Sequence, residues 1–368
     1  MAQLRFKVPS NYHGATVKGF LRGYCGISAR LLIRLKRTQG GILVNGEPVW
    51  VVHCLEEGDL VELNLPGDRN SMPGNGNLIK AAWEDDHLVF FEKPAGMPVH
   101  PSPGHDRDTL ANAARCYAEQ KGESWTFRPI NRLDRDTSGL VAVAKNAYCA
   151  SQLSGNSLRK EYFAVCQGVL TGKGTIDAPI RIKDGHTIQR EVGEGGVSAV
   201  THWQSLGCGH GHTLLRIQLE TGRTHQIRVH FSHLGMPLAG DDMYGGSREQ
   251  IARQALHCGF MYGVHPVTRK PFSVKQEFPA DFQDLCRRLE VGVQEENTCF
   301  LRAFWRINEI NRKCFFYFLY LFSANNSKKD YKKTLSVSFL LQCKKIGKFP
   351  IEFLTVLSLT FYVFYIII

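Results

Sequence analysis

Asp134 lies between Arg132 and Arg135 in the run Asn131-Arg132-Leu133-Asp134-Arg135-Asp136-Thr137-Ser138-Gly139-Leu140. Neighbouring guanidinium groups favour the charged form of a carboxylate and fix its direction, which suits a nucleophile better than a general acid. Local chemistry leaves two readings open, because charge clusters of this kind are ordinarily surface ion pairs. Other groups of reactive side chains carry less. His225 and His230 could share a face, but no third metal ligand goes with them. Cys208-Gly209-His210-Gly211-His212 reads as a Gly-rich turn between strands, and Gly193-Glu194-Gly195-Gly196 lacks the strand-to-helix context of a phosphate-binding loop. Neither a metal nor a nucleotide is expected.

The elements around Asp134 decide how it is held. Thr137-Ser138-Gly139 is a turn signal, and Leu140 to Ala144 is an apolar run that reads as a buried strand. Leu88 to Lys93 reads as a second buried strand, ended by Pro94 and followed by the rigid loop Ala95 to Pro101. Thr109 opens a helical pattern through Leu110, Ala113, Ala114 and Tyr117. Strand-like runs follow at Tyr162 to Gln167, Val197 to Ser205, Thr213 to Glu220 and Thr224 to His230. The mixture predicts an α+β domain with a largely antiparallel sheet, beginning near Leu78. In this pattern Tyr162 is an ordinary strand aromatic, and His225 and His230 alternate with Ile227 and Val229 across a strand.

Upstream, Ser28 caps a predicted helix, Ala29 to Arg37, with apolar and basic residues at helical spacing. Ile42 to Val49 gives two short strands about an Asn45-Gly46 turn, and Leu60 to Leu63 another strand. A basic helix followed by such a hairpin resembles the RNA-binding module shared with ribosomal protein S4. The resemblance implies that Arg30, Arg34, Lys36 and Arg37 lie near phosphates, contributing affinity more than sequence reading. Residues 66–77 have linker composition.

Arg132-Leu133-Asp134-x-x-Thr137-Ser138-Gly139-Leu140 resembles the signature loop of RluA-type pseudouridine synthases. Gly222-Arg223-Thr224-His225-Gln226-Ile227-Arg228-Val229-His230, then Leu234-Gly235-Met236-Pro237-Leu238 and Gly240-Asp241-x-x-Tyr244-Gly245, are similar to later blocks of that family. Lys160-Glu161-Tyr162-x-Ala164 stands between them, and Lys93 to His100 resembles the family's Lys-Pro loop. Many members carry His where this chain has Asn131, and both side chains can donate a hydrogen bond. The resemblance covers about residues 85 to 285. It implies a pseudouridine synthase fold and an isomerase that detaches uracil at nitrogen and rejoins it to ribose at carbon 5, with no cofactor. Asp134 is then the nucleophile, attacking the anomeric carbon or promoting elimination to a glycal. Arg228 pairs with its carboxylate from a strand, and Tyr162 stacks on the uracil and assists proton removal. Arg132 fills the gap left by the flipped nucleotide, while Arg223 is an RNA-phosphate or turn residue rather than a catalytic one.

The formal charge of +11 is compatible with a polyanionic partner. It is unevenly spread: 11 basic and 5 acidic residues fall from 291 onward, leaving 34 basic against 29 acidic before it. RNA contact must therefore rest on local patches. Eleven cysteines without a C-x-x-C pair, and no apolar N-terminal core, suggest a reducing, cytoplasmic setting. Residues 291–368 are rich in Phe, Tyr, Lys, Asn and Ile and bear no relation to the rest. Phe353 to Ile368 is an uncharged run of 16 residues, marginal for a membrane anchor; a fused or out-of-frame segment is the favoured explanation. The expected chain is thus an S4-like domain (1–65), a linker (66–77), a catalytic domain (78–290) and an atypical tail (291–368). A monomer acting on structured RNA is expected, ribosomal more than transfer. The rivals are a non-catalytic RNA-binding or ribosome-assembly protein on the same fold and, more remotely, a glycosidase, for which Asp136 is too close to serve as second carboxylate.

Overall fold

The computed structural model describes residues 3–65, 73–74, 76, 78–155 and 157–292, all within one compact unit, Met1–Phe304. Most of the expected linker, and all but two residues of the atypical tail, lie outside the described residues.

Residues 3–65 form a four-stranded antiparallel sheet and two helices: β1 (Gln3–Lys7), α1 (Val17–Gly23), α2 (Ala29–Arg37), β2 (Ile42–Val44), β3 (Glu47–Pro48) and β4 (Leu60–Asn64), with strand order β1-β4-β2-β3. Ser28 Oγ accepts from Leu31 N at 3.2 Å and caps α2. Leu31, Leu32 and Leu35 are buried, while Arg30, Arg34, Lys36 and Arg37 are exposed. Asn45 and Gly46 both have positive φ, as the tight two-residue hairpin requires.

The remainder is built on a nine-stranded sheet. In chain order come β5 (Ala81–Glu84), β6 (Leu88–Lys93), α3 (Leu110–Gln120), β7 (Ser138–Ala144), α4 (Ala147–Gln152), β8 (Leu158–Gln167) and β9 (Lys173–Asp177). A small hairpin follows, β10 (Ile180–Ile182) and β11 (Arg190–Val192), then β12 (Val200–Gly209), β13 (His212–Leu219) and α5 (Gln226–His233). The last elements are β14 (Leu256–Val264), β15 (Pro271–Lys275) and α6 (Ala280–Arg288). The sheet order is β5-β6-β7-β14-β8-β13-β12-β9, with β15 also paired to β14. β14 thus slots between β7 and β8, and its contact with β7 is the one parallel pairing among the described strands.

Every residue of β7 is buried, which is why Leu140 to Ala144 is an unbroken apolar run rather than an alternating one. Gly139 lets β7 approach β14: its φ is +129°, and a Cβ there would stand 2.4 Å from Cys258 N. Thr109 caps α3 in a reciprocal capping box with Asn112. The core is continuous with that of the N-terminal module. Tyr148 of α4, fully buried, donates its hydroxyl to Cys25 O at 2.7 Å and packs edge-on against Phe6 at 5.8 Å.

One expected strand is a helix. The pattern of Thr224 to His230 predicts a strand, yet Gln226–His233 is α5, with His225 at its N-cap in the left-handed region (φ 58°). The alternation of β-branched and polar residues mimics a strand, but Gln226 to Phe231 are all buried, so no amphipathic stripe marks the helix. Among the described residues no helix is long and apolar enough to cross a membrane.

Candidate active site

Asp134 sits in the loop that enters β7, and the loop is pinned from several sides. Asn131 Nδ2 donates to Leu140 O at 3.2 Å, and its Oδ1 accepts from Ala142 N at 2.9 Å, so this side chain uses both ends to tie the loop to the strand it precedes. Thr137 N donates to Asp134 O at 3.1 Å and closes the turn. Arg253 Nη1 donates to Asp136 O at 3.2 Å, and Gln254 Nε2 to Thr137 Oγ1 at 3.2 Å. From below, Lys93 Nζ donates to Pro94 O, Met97 O and Arg135 O at 2.8, 2.7 and 2.8 Å. Burial pushes the pKa of Lys93 down to about 7, against the pull of Asp136 and Asp134. Its three ammonium donors all have carbonyl partners, so it works as a strut under the loop.

The structure brings Arg228 to Asp134. Nη1 of Arg228 donates to Asp134 Oδ2 at 3.1 Å across 94 positions of sequence. The same guanidinium grips Asp241 with two bonds, Nε to Oδ2 at 2.7 Å and Nη2 to Oδ1 at 2.8 Å. Its Cζ also stands 4.9 Å from the Tyr244 ring centroid. Burial opposes the charge on Arg228, but Asp241 and Asp134 more than offset it and raise its pKa. Asp241 is sealed from solvent, whereas the Asp134 side chain keeps 27 % of its exposure. One carboxylate anchors the arginine; the other is held by it and still reached by solvent.

Tyr162 lies buried in β8, opposite Cys258 in the register of β14. Burial, together with Cys258 and Asp134, raises its pKa well above the usual phenol range. A phenol so disposed to keep its proton is better placed to stack on a base than to accept a proton from it. His225 is nearly buried: Nδ1 lies 2.8 Å from Tyr244 Oη and Nε2 3.9 Å from Asp134 Oδ2. Arg132 and Arg223 are exposed, and Arg223 Nε donates to Ser198 O at 3.0 Å. The geometry does not bring α2 and its basic residues into this cluster. His230 is not a ligand candidate but a buried connector, Nδ1 at 2.9 Å from Thr201 Oγ1 and Nε2 at 3.0 Å from Ala178 O. Cys208 to His212 forms the tight β12–β13 turn. Among the described residues no group of three His, Cys, Asp or Glu side chains could hold a metal ion.

Sequence reasoning assigned no role to Asp241, Tyr244, His225 or Lys93. All four lie in segments whose composition stood out, and Asp241 and Tyr244 occupy one short motif, Gly240 to Gly245. Nothing in their local pattern says that they converge on residue 134.

The sequence profile of the RNA pseudouridylate synthase family matches residues 87–233. The uncharacterized RNA pseudouridine synthase YhcT of Bacillus subtilis (strain 168) is 39 % identical over 255 residues, 67 % of this chain and 84 % of that protein. The ribosomal large subunit pseudouridine synthase D of Pseudomonas aeruginosa is 39 % identical over 225 residues, 55 % of this chain and 69 % of that one. Among solved structures, human RNA pseudouridylate synthase domain containing 4 is similar at a TM-score of 0.45 and 24 % identity, covering 57 % of this chain and 92 % of its own. With more than four-fifths of a 39 %-identical relative spanned, and Asp134 paired to an arginine 94 positions away, the chain belongs to the RNA pseudouridylate synthase family.

Proposed function

We propose that this protein isomerises specific uridines of structured RNA, ribosomal RNA before transfer RNA, with Asp134 as the reacting carboxylate. The observation that carries the reading is the asymmetry of the two carboxylates on Arg228, one sealed and one a quarter exposed. In the attack route, a carboxylate oxygen of Asp134 bonds to the anomeric carbon as the glycosidic bond breaks, and the electron pair leaves with uracil N1. The base turns, C5 bonds to the anomeric carbon, the carboxylate is released, and the C5 proton departs while N1 gains one. In the glycal route the carboxylate instead takes a sugar proton, and no ester forms. Atoms and oxidation state are conserved in both, so the chemistry calls for no redox cofactor or nucleotide. Arg228 pairs with the carboxylate and orients it, Tyr162 stacks on the uracil, and Arg132 fills the space of the flipped nucleotide.

Residues 1–65 act as an S4-like RNA-binding domain, with Arg30, Arg34, Lys36 and Arg37 on the exposed side of α2 near phosphates. Residues 78–290 are the catalytic domain, Arg223 adds a phosphate contact, and the protein works as a cytoplasmic monomer. Relatives named for the large ribosomal subunit support ribosomal RNA as the substrate. A non-catalytic assembly factor would have no use for a solvent-accessible carboxylate tied to a buried ion pair. Mapping pseudouridines in ribosomal and transfer RNA from cells with and without the gene tests the reading. A uridine modified only when the gene is present supports it; identical maps, with no product from the purified protein on unmodified RNA, overturn it.

A further inference from the structure

His225 contributes to the site without being one of the residues to which the reaction assigns a chemical role. It occupies the N-cap of α5 at φ 58°, a conformation uncommon for a residue with a Cβ and found where surroundings impose it. Its ring lies edge-on to Tyr244 at 5.7 Å, with an interplanar angle of 81°. Its two nitrogens point at two different groups, Nδ1 at Tyr244 Oη (2.8 Å) and Nε2 at Asp134 Oδ2 (3.9 Å).

The hydrogen bonds of Tyr244 assign the tautomer. Arg190 N, in β11, donates to Tyr244 Oη at 3.0 Å. The hydroxyl therefore accepts from the hairpin and has its own proton to give to His225 Nδ1. That leaves the imidazole proton on Nε2, facing the carboxylate. Arg228 and His225 both address Oδ2 of Asp134. The other oxygen, Oδ1, is the one left to face a substrate.

We propose that His225 is a positioning residue: with Tyr244 behind it, the imidazole steers Oδ2 of Asp134 so that Oδ1 is the reacting oxygen. A separation of 3.9 Å is too long for a hydrogen bond, and such contacts characteristically tighten once the substrate is in place. The chain of contacts also runs outward, from Asp134 through His225 and Tyr244 to the β10–β11 hairpin. Gln189 Nε2 holds that hairpin to Met243 O at 2.8 Å.

The pH dependence follows from the groups that face the ring: Asp134 from the loop before β7, Arg228 on α5, Asp241 and Tyr244 from the segment after α5, and Arg190 on β11. Burial lowers the pKa of His225, with Asp134 pulling the other way and Arg228 adding to the fall. The neutral ring is the working form. Acid converts it to an imidazolium that can no longer accept from Tyr244 and that neutralises the carboxylate. The rate therefore falls as pH drops below the ordinary histidine range.

This inference rests on the pseudouridine synthase reading, and formation of pseudouridine by the wild-type chain separates the two. The test uses the full-length protein and ribosomal RNA from cells lacking the gene, with single-turnover rates from pH 5 to 8. H225A is expected to lower the rate by about ten- to a hundredfold, with RNA affinity within threefold of wild type. H225Q, whose amide can place a donor near the position of Nε2, should recover much of the loss and flatten the acid limb. Y244F should lower the rate, and combining it with H225A should add little, since the two act as one unit. If H225A unfolds, H225Q and Y244F decide through the acid limb. An unchanged acid limb in H225Q, or equal rates in H225A and wild type, overturns the proposal. A wild-type chain that makes no pseudouridine overturns the reading beneath it.

Discussion

Removing Arg228 should damage stability and rate by different routes, and the geometry gives the size of each. Arg228→Ala deprives Asp241 of both its side-chain hydrogen bonds while leaving that carboxylate fully sealed from solvent. Breaking a buried ion pair from one side costs about 3–5 kcal/mol, because the stranded charge keeps its desolvation penalty. The stacking of the guanidinium on Tyr244 adds roughly 1 kcal/mol. The effect on rate comes from Asp134. Unit charges about 4 Å apart interact by about 4 kcal/mol at an effective dielectric of 20. Solvent reaches Asp134, so screening cuts this to roughly half, or between one and two orders of magnitude in rate. Urea unfolding followed by tryptophan fluorescence gives the first quantity, and pseudouridine formation under conditions where the variant is still folded gives the second. The double variant R228M/D241L replaces the pair with apolar side chains and should regain most of the stability but none of the activity. A stability of R228A within about 1 kcal/mol of wild type, or recovery of rate in the double variant, would refute the reasoning.

Asp134→Asn should lower isomerisation by roughly a thousandfold or more while RNA binding, read by filter retention, changes little; a variant of near-normal rate would remove Asp134 from the chemistry. His257, fully buried against Ser138, has its pKa pushed down to about 4 by burial. The unfolded chain takes up its proton near pH 6.5, so stability is complete above that value and is lost as pH falls toward 4, by up to about 3 kcal/mol for this one group. Urea midpoints measured from pH 7 to 4.5 should fall in wild type and fall less in H257N; parallel slopes would contradict the assignment. Gly139→Ala should yield little soluble protein, because the added Cβ would meet the backbone of Cys258, whereas Gly222→Ala, with nothing within 4 Å, should express and unfold normally. Equal yields would show that β7 can move away from β14.

What could be read from the sequence, and what could not, divides along the range of the interactions. The caps Ser28 and Thr109, the Asn45-Gly46 turn and the apolar run Leu140 to Ala144 of β7 are local signals, and each appears where its residues place it. α5 was misread because its residues alternate like a strand, and the left-handed turn at His225 that starts the helix is imposed by tertiary contacts. The pairing of Arg228 with Asp134 came from resemblance to a family, since no local pattern links positions 94 apart. Asp241 stands in the recognised Gly240 to Gly245 block without a role there, because nothing in that local pattern shows that its carboxylate reaches Arg228. Lys93 read as the end of a strand before a proline, and only the three carbonyls around it reveal a strut.

The insertion of β14 between β7 and β8 has a consequence for the newborn chain. At roughly 5–20 residues per second, the signature loop leaves the ribosome on the order of ten seconds before β14 is made. Until then β7 and β8 have no partner strand between them, and the cradle around Asp134 lacks Arg253 and Gln254, which lie 117 positions from their loop contacts. Closing such long loops is slow compared with forming helices. The contacts that fix the Asp134 loop are therefore completed only after residues 253 and 254 have been made.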